Sequence, residues 1–121
     1  MDALKTADQR SNCNSYENCP VAATLSVIGG KWKPIILYLI SEGDNRFGRL
    51  LRGINGISRK VLTEQLRELE RDDIVRRIDF EELPFRVEYV LTSKGETLKP
   101  LLDLLYIWGQ EHVLLHTQNV R

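Results

Sequence analysis

A chain of 121 residues can build one hydrophobic core but hardly two. Hydrophobic residues at 42% and charged residues at 28% fit a soluble globular domain and exclude a disordered or fibrous one. Seventeen Lys and Arg balance seventeen Asp and Glu, and the pI is near 6.7, so no overall basic field draws a polyanion. A nucleic-acid surface would have to be a local patch offset by acid elsewhere.

The longest apolar run, Pro34 to Ile40, is far short of a membrane span, and the N-terminus lacks the basic-then-apolar pattern of a secretory signal. A cytoplasmic location with no membrane partner is expected. In that compartment Cys13 and Cys19 are expected to rest as thiols, not as a cross-link.

In chain order, Met1 to Glu17 is polar with few large apolar side chains, so residues 1–18 are expected to form a flexible arm ahead of a folded domain spanning 19–121. Pro20 suits the first turn of a short buried helix, Val21 to Ile28, which Gly29-Gly30 stops with left-handed backbone. Lys31 to Pro34 opens a second helix whose Ile35, Ile36, Leu37, Leu39 and Ile40 are apolar on most sides, as in a core helix. Cys19 sits at a helix N-terminus, where the dipole favours the reactive thiolate, and it reads as a thiol sensor. The competing reading is a small buried hydrophobe beside Pro20 and Glu17. Cys13 is then either its resolving partner or an exposed bystander.

After the turn at Glu42 to Asn45, Phe47, Leu50, Leu51 and Ile54 recur at helical spacing across Arg46 to Ile54, leaving Arg49 and Arg52 to solvent. Asn55-Gly56 turns the chain into the stretch ending at Asp73. There Leu62, Leu66 and Leu69 form one apolar stripe, and Lys60, Thr63, Glu64, Arg67 and Arg71 lie opposite it. Ser58 is placed to cap the leading turn, which with Arg59 and Lys60 suits an anion such as a backbone phosphate. Two short helices around a Gly-containing turn form a helix-turn-helix, whose second member enters the major groove. From Arg46 to Lys60 there are five basic residues and no acidic one.

The period then changes. Ile74 to Phe80 and Phe85 to Leu91 read as two strands around a turn with Pro84, forming a wing from which Arg76, Arg77 and Arg86 reach the sugar-phosphate backbone or a minor groove. Glu81 and Glu82 oppose such contact if they form its tip. Ser93 and Glu96 resemble a capping box for a last helix over about residues 95–116. Leu98, Leu101, Leu102 and Leu105 make one apolar face of it, while Leu104, Ile107, Leu114 and Leu115 lie elsewhere around the wheel. That is more apolar surface than one small domain covers, so homodimerisation is expected through these four residues, with Trp108 as anchor.

Several chemistries are set aside. Gly43 to Arg49 has two glycines of a phosphate loop but ends in Arg-Leu and follows a helix. His112 and His116 stand one helical turn apart without a local third ligand, so no metal is expected. No catalytic set or cofactor fingerprint can be singled out, so neither an enzyme nor a cofactor is expected.

The succession CPV, GGKWKP, RFGRLLRGI, ISRKVLTEQLRELERDDIVRR, VEYVLTSKG and LLDLLYIWG, covering roughly Cys19 to His112, resembles the HxlR-type branch of MarR-like winged helix-turn-helix regulators. The resemblance implies a mainly α fold with a small β-hairpin and a homodimer that joins through its first and last helices and binds double-stranded operator DNA. It places DNA contacts on Ser58, Arg59, Lys60, Thr63 and Arg67 and a wing near Arg86. Cys19 matches a cysteine that some relatives use to sense electrophiles or oxidants, although Cys13 is extra here and no cysteine lies in the helix-turn-helix. A small molecule or an oxidant is thus an implied signal of unknown identity. The alternative is a winged-helix interaction module whose basic patch docks an acidic protein.

Overall fold

The computed structural model describes residues 13–81 and 83–114. Cys13 to Asn18 turns tightly, with the Cys19 amide donating to the Ser15 carbonyl at 2.8 Å. Helix α1 (Pro20–Ile28) follows, then α2 (Lys33–Ser41), α3 (Phe47–Gly53) and α4 (Arg59–Arg71). Strands β1 (Val75–Asp79) and β2 (Val87–Leu91) pair antiparallel, with Arg77 opposite Tyr89 and Val75 opposite Leu91. The rest comprises a short helix α5 (Ser93–Glu96), helix α6 (Lys99–Gly109) and a π-helical turn, Gln110–Leu114.

Helix α2 is the centre of the core, as its all-round apolar sequence requires. Ile36 and Leu37 are fully buried, and they share one cluster with Leu50 of α3, the α4 stripe Leu62, Leu66 and Leu69, and Ile74, Tyr89 and Leu102. The hairpin packs on α2, α3 and α4, and α6 packs on α2. Gly56, at φ +84°, makes the left-handed turn between α3 and α4 that a Cβ would strain. A Cβ on Gly95 would overlap the Ile74 carbonyl oxygen, so only glycine lets α5 sit against the start of the hairpin. The result is a winged helix-turn-helix, mainly α with one small sheet.

Several local expectations need correction. Cys13 and Cys19 are joined in a disulfide, because the turn between them folds one back on the other; they are not separate thiols. Gly30, at φ +92°, takes the left-handed position after α1, while Gly29 stays extended. One burial has no sequence signal behind it: Lys33, in the opening turn of α2, is only 8% exposed. The cap of α5 is Thr92, whose hydroxyl accepts from the Gly95 amide at 2.9 Å; Ser93 is already helical.

The last helix is not continuous either. It breaks near Thr97, restarts one residue ahead of Pro100 and widens into the π turn at Gln110. Pro100 lacks the amide proton that an uninterrupted helix needs there. Residues 1–12 of the arm, Glu82, Leu115 and His116 lie outside the described residues.

Candidate nucleic-acid interface

Helix α4 is set by its cap. Ser58 has extended backbone angles, and its Oγ accepts from the Val61 amide at 3.1 Å, which satisfies an orphan donor and leaves the first-turn amides of Arg59 and Lys60 directed outward. With the leucine stripe buried, Arg59, Thr63 and Arg67 fall on one side of the helix at a spacing of four residues.

These three line a cleft of about 870 Å³ between α4, α3 and the hairpin. Arg46, Arg49 and Arg52 line it from α3 and its cap, and Arg77 and Arg86 from the wing. Seven arginines thus converge, with Glu70 as the one carboxylate among the lining residues. Of the predicted contacts, Ser58, Lys60 and Arg76 are not in the lining. Lys60 and Arg76 are exposed beside the cleft, and Arg76 is opposite Val90 in the strand register, on the other face from Arg77. The face aimed inward is therefore rotated from the one directly opposite the leucines.

Many of the guanidinium groups are oriented by the protein. Arg59 lies over the Phe47 ring at 5.3 Å, a cation–π contact that holds it at the mouth of the cleft. Arg46 and Arg86 approach the same Glu88 carboxylate at 3.6 and 3.5 Å. Residues 46 and 88 also form an isolated backbone bridge, and the Tyr89 amide donates to the Asn45 carbonyl at 2.8 Å. Together these contacts tie the wing to the start of α3. Burial holds the Tyr89 phenol above its ordinary range, against the opposing pull of the neighbouring Arg77. Arg86 differs from its expected outstretched form: its guanidinium is folded over the Phe80 ring at 3.9 Å.

Phe47, Glu70, Phe85 and Tyr89 also line the cleft, beyond the residues that the sequence pattern points to. Phe47 counted only toward the apolar stripe of α3, and its stacking with Arg59 depends on the angle between two helices. Phe85 carried a readable signal, a large apolar residue at a polar turn.

Away from the cleft lining, Leu104, Ile107, Trp108 and Leu114 are exposed, Trp108 at 60%, and α1 exposes Val21 and Leu25. The Trp108 and His112 rings lie 4.9 Å apart. Among the described residues no group of three or more His, Cys, Asp or Glu side chains could hold a metal, and no helix is long and apolar enough to cross a membrane.

Comparison with known proteins agrees with this geometry. The HTH-type transcriptional regulator YtcD of Bacillus subtilis (strain 168) is 46% identical over 96 residues, covering 79% of this chain and 76% of YtcD. The redox regulator HypR in its oxidized form superposes with a TM-score of 0.73 at 46% identity, covering 78% of this chain and 97% of HypR. The reduced form of the transcriptional regulator YodB from B. subtilis gives 0.66 at 33% identity, covering 78% of this chain and 94% of YodB. The model of the HxlR-like helix-turn-helix family matches residues 27–117, and with a capped recognition helix, a wing and an arginine-lined cleft between them, the chain belongs to that family of DNA-binding transcriptional regulators.

Proposed function

We propose that the protein is a cytoplasmic homodimer that binds a palindromic operator, with α4 in the major groove and the wing and α3 gripping the flanking phosphates. The observation that carries this reading is the convergence of seven arginines on one cleft in a chain of zero net charge. Arginine matches phosphate oxygens and guanine edges in bidentate fashion. Arg59, Thr63 and Arg67 are the residues read as facing base edges, and Arg46, Arg49 and Arg52 as facing phosphates, with Ser58, Lys60, Arg76, Arg77 and Arg86 on the flanks. Two recognition helices about 34 Å apart would enter successive major grooves of one duplex face. The exposed surface of α1 and α6 supports pairing of two copies through Leu104, Ile107, Trp108 and Leu114.

A gel shift with a duplex from the protein's own upstream promoter region, repeated at rising salt, tests the reading. Binding is expected to weaken steeply with salt. Arg59→Ala should cost about 1–3 kcal/mol and reduce discrimination between operator and unrelated duplex, whereas Arg52→Ala should weaken both alike. Unchanged operator preference in Arg59→Ala would remove α4 from the role given to it here.

Cys13 and Cys19 are the proposed switch. Their disulfide lies at the N-terminus of α1, on the element read as part of the dimer contact, and HypR, a redox regulator, is similar in fold and sequence. Forming the bond takes two protons and two electrons from the pair, so an oxidant is the proposed signal.

A further inference from the structure

The wing tip carries apolar surface that an arginine-and-phosphate interface does not call for. Leu83 is 87% exposed and Phe85 77% exposed. Phe80 nearby is shielded on one ring face by the Arg86 guanidinium. Glu81, exposed at the same tip, repels phosphate oxygens, so the tip is not built to ride along the backbone by charge. Phe85 also lines the same cleft as Arg46, Arg59 and Arg67. A body that fills this cleft deeply enough to meet Arg59 and Arg67 on the helix wall meets the Phe85 ring on the wing wall.

We propose that Phe85 is a non-ionic DNA contact, its ring packing on deoxyribose and base edges of the groove the wing enters. The inference rests on the reading of the cleft as a DNA site. Burying a phenylalanine ring adds affinity without displacing condensed counterions, while each arginine that meets a phosphate does displace them. The two kinds of contact therefore leave different marks on salt dependence. Leu83, more exposed and outside the cleft lining, serves as the neighbouring control.

The test uses the full chain and the promoter duplex, with dissociation constants measured from about 50 to about 200 mM salt. Phe85→Ala is expected to weaken binding about tenfold at every salt concentration with the slope of log K against log salt unchanged. Arg52→Ala, which removes a residue read as facing phosphate, should make that slope shallower by about one unit. Phe85→Trp should retain affinity and Leu83→Ala should bind as the unaltered chain does. An exposed ring contributes little to folding, so the thermal midpoint of Phe85→Ala should match that of the parent, confirming that a loss of affinity is local. Wild-type affinity in Phe85→Ala while the arginine variants lose theirs overturns the inference and leaves the cleft reading standing. A Phe85→Ala loss that comes with a shallower slope also overturns it, since the ring would then act through phosphate contacts. Undiminished binding in Arg59→Ala and Arg67→Ala together would sink the cleft reading itself.

Discussion

Lys33 keeps its ammonium beneath the recognition helix because Glu68 meets it there. Its Nζ donates to Glu68 Oε1, joining the first turn of α2 to α4. The same hydrogen bond, with the lysine charge, holds the Glu68 carboxyl below the usual carboxylate range. A carboxyl that releases its proton more readily when folded stabilises the fold at any pH above its unfolded value of about 4.3. That contribution is lost as pH falls from there through the lowered folded value. Chemical denaturation followed from about pH 5 to about pH 3 should therefore show stability falling more steeply in the parent than in Glu68→Gln. Parallel curves would mean that the pair does not couple folding to protonation. At neutral pH, Glu68→Gln should be the less stable protein, since it leaves a buried ammonium without its counter-charge.

At the scale of elements, the junction between α4 and β1 decides where the wing stands. Asp73 sits in left-handed backbone at φ 61°, with its amide donating to the Glu70 carbonyl and the Ile74 amide reaching the Leu69 carbonyl, both at 2.9 Å. These are the two bonds of a Schellman closure, sealed by the buried Leu69 and Ile74 side chains. Glycine meets less steric resistance in that conformation than aspartate, so Asp73→Gly should stabilise the fold by about 0.5–1 kcal/mol, read as a Tm raised by about 2–4 °C. A lowered Tm would point to a role for the Asp73 side chain that the closure does not include. Elements of this kind were legible in sequence where a period and a boundary coincide. Leu62, Leu66 and Leu69 fixed the inner face of α4, and Ser58 its start, to the residue. The break in the last helix was not, because Leu98, Leu101, Leu102 and Leu105 keep a helical period across Pro100. Arg86 folding back on Phe80 was hidden too, since the spacing along a strand gives its face but not where a long side chain bends.

At the scale of the whole molecule, two faces remain to be occupied, one basic and one apolar. Trp108→Glu places a charge in the middle of the apolar face without touching the core, and it should convert a dimer to a monomer in sedimentation velocity while lowering operator affinity. A Trp108→Glu chain that still sediments as a dimer would move the subunit contact elsewhere. Diamide, which accepts two electrons and two protons from a dithiol, should change promoter affinity of the reduced protein and leave Cys19→Ser unaffected; an equal response in the variant would remove the cysteine pair from any switch. Lining one cleft with seven arginines in a chain of zero net charge separates positive from negative across the body. The molecule therefore carries an electric moment in place of a monopole. In the field of a duplex it is turned before it is pulled, so charge raises the share of encounters that arrive correctly oriented, and only within about a Debye length of the helix.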